Sequence, residues 1–516
     1  YDQIVPRALT ITTAGGTITT GTVGATTVLT SLTLSGTGSN VLGGNIATNG
    51  AIDLTGTNRD TTLTSSVTLA SASSGAISVG AVEGQTAGGQ ALTINTSGAT
   101  TLAGTVGHTT ALASLTINSG GSSALNGGEI RTAGLQSFGD AATLGANLLL
   151  TTTANGNISF GSTLNGSKDL SLTAGGGNIT FAGAVGGITR LGTIDINSAA
   201  AVTTAAVTAA ALNQDAGTGT TTLSGAVNTN TGAGVTLTGT HLAINAAVTT
   251  TNGGVVTLNE SGTLTTAAAG DISADGAVTI GGASGLSLAG DITTTNDAII
   301  LNDAVSLTGA VALNTGAGTG DIRFLSTVSG GQNLSLTAGT GDVLLTGSVG
   351  GTRLGTLLIN SAHDVTAAAI TAAALNQTAG SGTTTLNGAV NTNAAGGINL
   401  TSTHLAVNDS LTTTGGGVVT LNQSGTLLLS DAADITADGA VSLTATGGIS
   451  TGGDITTTSD TIGFASATTL TGAITLNAGV GANINFSSTL NSDAALTPRN
   501  LTVNAGSGDI TLTGAV

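Results

Sequence analysis

The chain has 516 residues, of which 7% are charged and 1% aromatic, with 83 glycines, two prolines and no cysteine, methionine or tryptophan. So few reactive side chains argue against an ordinary enzyme domain, whereas a positive mean hydropathy argues against disorder. The 26 acidic residues against eight basic ones give a net charge of −18. Without a basic stripe, nucleic acid is excluded as an expected partner.

The sequence also bears on export. No run of about 18 apolar residues survives the Thr, Ser and Gly interruptions, so no transmembrane segment is predicted. No basic region followed by an apolar run opens the chain, so no signal peptide is visible. Because the sequence begins at Tyr1 without a methionine, we expect a processed chain or a piece of a longer one.

One phrase recurs along the chain. It reads "LTITTAGGTITTGTVG" from Leu9 and "LTINTSGATTLAGTVG" from Leu92, and further versions begin at Leu170, Leu334 and Leu501. The stretch 190–295 also matches the stretch 353–458 at a constant offset. These repeats predict four segments: divergent repeats of about 80 residues over 1–157, one large unit over 158–321, a second over 322–483, and the start of a further unit over 484–516.

A shorter period runs inside the large units. Strand-like cores recur about every 20 residues, near Leu334, Leu357, Leu375, Ile398, Val419, Val441 and Ile462. Each step holds two or three short segments with apolar residues at alternate positions, which is typical of strands with one buried face. We therefore predict an all-β fold, a right-handed parallel β-helix (β-solenoid) with about 20 residues per coil and about 25 coils, eight of them in each large unit. An array of β-sandwiches is the competing fold.

The degenerate phrases "LSLTAGGGNITFAGAV" and "LSLTAGTGDVLLTGSV" resemble the repetitive β-helical exoproteins of bacteria. These are filamentous-haemagglutinin-like adhesins and giant surface proteins secreted by type V routes. The resemblance covers nearly the whole chain and implies an extracellular or cell-surface location. It brings no catalytic residues with it.

The best candidate binding groups are aspartates in two equivalent stretches, "AAGDISAD" and "DAADITAD". Their carboxylates could bind Ca²⁺ if corners of neighbouring coils bring them together, although Asp also caps and bends corners through its own hydrogen bonds. The candidate metal ligands are Asp271, Asp275, Asp431, Asp434 and Asp438. No other cofactor is expected, and the equivalent His241 and His404 are expected about eight coils apart, too far to share one metal ion.

These observations favour a secreted, non-enzymatic structural or adhesive fibre that stacks or assembles end to end into an extracellular filament. Its expected partners are other copies of itself and the glycans or proteins of host or neighbouring cell surfaces. Two alternatives stay open: the stalk of a larger adhesin that presents a separate functional tip, and a polysaccharide-processing β-helix enzyme that uses Asp434.

Overall fold

The computed structural model describes residues 7–493 and 498–516. Residues 1–6 and 494–497, which fall in the first and last predicted segments, lie outside the described residues. The described part of the chain is built of parallel β-strands, and it contains no helix that could cross a membrane. The chain divides into two compact units: unit A, up to Gly254 with Leu258–Gly262, and unit B, Val255–Thr257 with Thr263–Val516.

The strands are short and are numbered β1 to β62 in chain order. Strands β1 to β20 are Leu9–Thr20, Leu32–Leu42, Ile46–Thr48, Ile52–Leu54, Arg59–Leu63, Val67–Ser71, Ile77–Val79, Val82–Gly84, Ala91–Asn95, Ala99–Leu102, Ser114–Ile117, Ser122–Leu125, Glu129–Thr132, Gln136–Phe138, Ala141–Leu144, Leu148–Thr152, Ile158–Phe160, Leu164–Asn165, Leu170–Thr173 and Ile179–Phe181. Strands β21 to β40 are Leu191–Ser198, Val202–Thr204, Val207–Gln214, Thr220–Leu223, Val227–Thr229, Val235–Gly239, His241–Ile244, Val248–Thr250, Val256–Glu260, Thr263–Thr266, Ile272–Ala274, Val278–Gly281, Gly285–Leu288, Ile292–Thr294, Ile299–Leu301, Val305–Leu307, Val311–Asn314, Ile322–Phe324, Val328–Ser329 and Leu334–Thr337. Strands β41 to β62 are Val343–Leu345, Val349–Ser361, Val365–Ala367, Ile370–Gln377, Thr383–Leu386, Val390–Thr392, Ile398–Ser402, His404–Val407, Leu411–Thr413, Val419–Gln423, Leu427–Leu429, Ile435–Ala437, Val441–Ala445, Ile449–Thr451, Ile455–Thr457, Ile462–Phe464, Thr468–Leu470, Ile474–Asn477, Ile484–Phe486, Leu490–Ser492, Leu501–Asn504 and Ile510–Leu512.

Strands pair with strands one coil further along the chain, which confirms the predicted β-solenoid. In unit B the seven predicted cores form one column of directly paired residues, running from Leu334 to Ile462 and continuing to Ile484 and Ile510. In unit A an equivalent column runs from Leu148 through Leu170, Ile194 and Leu212. The direction in which the chain winds stays a prediction.

The coils are somewhat longer than predicted, at about 22 residues, and there are about 23 of them. Most coils carry three strands and three corners. The step from Leu357 to Leu375 follows a bulged stretch of β42 and is the shortest in its column. The predicted period was too short because the large repeat was taken to hold eight whole coils.

The large repeat is not a whole number of coils. Leu334 and Leu501 begin equivalent phrases, yet Leu501 pairs with Ile474 and lies in a different column from Leu334. Seven coils separate Leu334 from Ile484, and Leu501 lies two strands further on. The repeat therefore spans seven and two-thirds coils rather than the predicted eight, so successive copies lie on different faces of unit B, a third of a turn apart.

Alternation places the apolar side chains inside the coils. In β50 the residues Val419 and Leu421 are fully buried while Thr420 faces outward, and Val441 and Leu443 continue the pattern one coil later. Each fully buried aliphatic side chain contributes about 1.5–3 kcal/mol. Because every coil adds such residues, the core extends along the coils rather than gathering at one centre.

Two equivalent positions require glycine. Gly186 and Gly350 have φ of +69° and +92°, a left-handed backbone that glycine adopts without steric cost. A Cβ atom at these positions would collide with the carbonyl oxygens of Thr208 and Thr371 respectively. The phrase therefore keeps glycine where the chain passes close to the next coil.

Candidate functional site: aspartates at the coil corners

The predicted aspartates flank two equivalent short strands of unit B. Asp271 precedes β31 and Asp275 follows it, whereas Asp434 precedes β52 and Asp438 follows it. The two members of each pair are four residues apart on an extended chain, which is about 13 Å at about 3.3 Å per residue. The strand therefore separates the two carboxylates of each pair.

Asp271 and Asp434 form hydrogen bonds to the following coil instead. Asp434 Oδ1 accepts a hydrogen bond of 2.8 Å from the backbone N–H of Asp454, and Asp454 Oδ1 accepts one of 2.7 Å from Thr475. Asp271 and Asp291 repeat this arrangement, since the backbone N–H of Asp291 donates to Asp271 Oδ1 at 2.9 Å. We call such a series an aspartate ladder, because each carboxylate holds the backbone of the next coil.

A longer aspartate ladder begins after β37 and continues over the following coils. Asp321 Oδ1 accepts from the backbone N–H of Asp342 at 2.9 Å, Asp342 from Asp364 at 3.0 Å, and Asp364 from Thr383 at 2.6 Å. Arg323 also donates to Asp321 Oδ2 at 2.6 Å. Asp321 and Asp342 follow glycines that the sequence marks as corners, and their carboxylates here act as corner acceptors.

Asp438 and Asp431 have different surroundings. Asp438 accepts hydrogen bonds from the backbone N–H of Gly416 at 2.8 Å and the hydroxyl of Thr458 at 2.9 Å. These bonds favour the charged form and lower the pKa of Asp438 below its usual value, the Gly416 bond having the largest effect. Asp431 Oδ1 lies where a Cβ atom on Gly452 would be, so Gly452 makes room for it.

The hydrogen bonds described above do not gather the predicted aspartates around one point. Among residues 7–493 and 498–516, no three His, Cys, Asp or Glu side chains come together in a group that could hold a metal ion. Asp271, Asp434 and Asp438 direct carboxylate oxygens at N–H or O–H donors. Calcium binding by Asp271, Asp275, Asp431, Asp434 and Asp438 stays a prediction.

Two equivalent arginines were not singled out from the sequence. Arg353 Nη1 donates to the carbonyl oxygens of Ala372 at 2.8 Å and Asn391 at 3.0 Å, and its Nη2 donates to Asn391 Oδ1 at 2.6 Å. Arg190 makes the same three bonds in unit A, to Ala209 and Asn228. Each guanidinium therefore joins three successive coils, and the shared "TRLGT" motif was the available signal.

His108 belongs to an exposed cluster in unit A. Its Nδ1 lies 2.5 Å from Glu129 Oε2, and Glu83 accepts hydrogen bonds from the backbone of Thr109 and Thr110. The hydrogen bond to Glu129 raises the pKa of His108 above its ordinary value. The side chain of His108 is 63% exposed, so this pair lies on an open surface rather than in a cleft.

A shallow groove of about 470 Å³ crosses adjacent coils of unit B. Its lining is mostly apolar and includes Val311, Leu334, Leu358 and one carboxylate, Asp291. Asp291 Oδ1 already accepts a hydrogen bond of 2.8 Å from the backbone N–H of Ala312. The groove therefore offers apolar contact area, and the carboxylate of Asp291 is already engaged in a hydrogen bond to the backbone of the next coil.

Comparison with known proteins gave no relatives from which residue roles could be transferred. No family model, curated protein or solved structure matches the chain.

Proposed function

We propose that this chain is a secreted, non-enzymatic β-solenoid that serves as a structural or adhesive fibre on the outside of the cell. The observation that carries the proposal is the continuous register of unit B, where one column of paired residues runs through nine coils from Leu334 to Ile510. Stability in such a stack comes from many similar interfaces between neighbouring coils. Damage to one coil then leaves the other interfaces in place.

The hydrogen bonds of the polar side chains support the same proposal. Aspartate ladders tie several corners to the following coil, and Arg190 and Arg353 each join three coils. An outward column in unit B presents Thr or Asn on seven successive coils, namely Thr371, Asn391, Thr412, Thr436, Thr456, Asn477 and Asn504. A neutral hydroxyl and amide surface suits contact with other copies of the chain or with glycans.

Electron microscopy of the purified protein at neutral pH tests assembly. We expect filaments whose length increases with protein concentration, because backbone edges of one solenoid can pair with those of another. Short, monodisperse particles at every concentration would contradict assembly. Adhesion is tested separately by binding of the same preparation to glycan arrays and to cells, with heat-denatured protein as the control.

The enzyme alternative predicts turnover of acidic polysaccharides that depends on a carboxylate. Asp434 accepts a backbone N–H across the coil boundary, so we expect no release of reducing ends from such glycans by the wild-type protein. Turnover that is abolished by Asp434→Asn, but not by the equivalent change Asp271→Asn, would overturn the non-enzymatic proposal.

A further inference from the structure

Glu260, the last residue of β29, is a buried acid without a hydrogen-bond partner. Its side chain is 0% exposed, and neither carboxylate oxygen has a partner among the described residues. The equivalent residue in the second large repeat is Gln423. Gln423 is also buried at 1% exposure, yet both ends of its amide are bonded.

The difference extends to the neighbouring coil. Gln423 Oε1 accepts from Ser402 N at 3.0 Å and Ser402 Oγ at 2.5 Å, and its Nε2 donates to Leu400 O at 3.0 Å. At the position of Ser402 the first large repeat has Gly239. A Cβ atom added to Gly239 would lie 2.9 Å from Glu260 Oε2, so the site of the missing hydroxyl faces the carboxylate directly.

This environment favours the neutral acid. A protonated carboxyl can donate one hydrogen bond and resembles the amide of Gln423, whereas a carboxylate needs donors that Gly239 does not supply. In unit A, segments 212–216 and 235–244 precede β29 in the stack of coils, and their titratable residues are Asp215 and His241. Burial alone raises the pKa of Glu260 from 4.5 to about 7.

We propose that Glu260 makes its coil a pH-operated weak point, closed while the buried carboxyl is protonated and opening locally as the carboxyl ionises. The equivalent coil with Gln423 stays closed over the same range. Below pH 4.5 the carboxyl is neutral in both the closed and the opened coil. Between pH 4.5 and about 7 only the opened coil ionises, so the closed form loses stability, and above about 7 the dependence levels off.

Hydrogen exchange on the full chain, followed by mass spectrometry from pH 5 to pH 8, tests this proposal with an internal control. The peptides to compare cover residues 235–262 and 398–425, after correction for intrinsic exchange rates. The opening constant of the first peptide should rise by on the order of 50- to 100-fold relative to the second. An equal pH dependence of the two peptides would overturn the proposal without any variant.

Reciprocal variants assign the effect to the side chain. Glu260→Gln copies the residue found at the equivalent position and should remove the pH dependence of peptide 235–262. Gly239→Ser should reduce it, because a hydroxyl then faces the carboxylate. Gln423→Glu should transfer a smaller dependence to peptide 398–425, since Ser402 still donates there. If Glu260→Gln keeps the wild-type dependence, another group is responsible and the proposal fails.

Discussion

The stacked phenylalanines of unit A allow the contribution of one coil-to-coil contact to be measured. Phe160 is 1% exposed and lies between Phe138 and Phe181, with ring centroids 4.8 Å and 5.4 Å away and interplanar angles of 14° and 5°. Phe324 in unit B is equally buried, but its column neighbours are Leu301 and Leu345. The two residues therefore differ mainly in ring stacking.

Replacing a buried phenylalanine by alanine costs about 3–5 kcal/mol. Each stacked pair adds about 0.5–1.5 kcal/mol beyond the buried area. Phe160→Ala loses two such pairs, so it should destabilise its coil by about 1–3 kcal/mol more than Phe324→Ala destabilises its own. Phe324→Ala is the matched control, because it removes an equally buried ring whose column neighbours are leucines.

The assay is the free energy of local opening, obtained from hydrogen exchange in peptides that cover β17 and β38. Local opening is the appropriate quantity because repeat arrays need not unfold as one cooperative unit. Equal losses in the two variants, or a larger loss for Phe324→Ala, would refute the conclusion that ring stacking adds to coil stability.

Three further predictions concern the polar contacts. Arg353→Lys should destabilise the coils around Ala372 and Asn391 by about 1–2 kcal/mol, because lysine cannot reproduce the bonds of the planar guanidinium; unchanged exchange in peptide 370–392 would contradict this. Asp342→Ala should cost about 1 kcal/mol and Asp342→Asn less, since asparagine keeps the acceptor for the N–H of Asp364; equal thermal shifts would contradict it. If the corner aspartates bind calcium as predicted, isothermal titration should show binding that weakens in an Asp434→Asn/Asp438→Asn double variant, and the absence of heat with the wild-type chain would contradict it.

The strand positions could be predicted because alternation and glycine corners are local signals. Leu334, Leu375 and Val419 were identified as strand cores, and they lie in a single column of paired residues. The coil length was less accurate, because the large repeat was assumed to hold a whole number of coils, whereas Leu334 and Leu501 lie in different columns. The rotation of the repeat by a third of a turn depends on counting paired strands, which the spacing of phrases does not give.

The long-range contacts could not be predicted from composition or period. Arg353 contacts residues 19 and 38 positions further along the chain, and a single arginine in the sequence does not reveal its acceptors. The sequence shows that Glu260 in one repeat stands where the other repeat has Gln423. The consequence of this difference depends on burial and on the neighbouring position, which is Gly239 in the first repeat and Ser402 in the second. The corner role of Asp434 was one of two interpretations, and its hydrogen bond to Asp454 favours that role.

The central claim is that successive segments stack as parallel coils in register, and cysteine cross-linking tests it directly because the chain has no cysteine of its own. Thr412 pairs with Thr436 on the next coil, whereas Asn391 lies two coils from Thr436. Neighbouring strands are about 4.8 Å apart, within the Cα separation that a disulfide spans, and two coils exceed it at about 9.6 Å. Under mild oxidation Thr412→Cys/Thr436→Cys should form an intramolecular disulfide and Asn391→Cys/Thr436→Cys should stay reduced. Cross-linking of the second pair but not the first would contradict the stacked-coil structure.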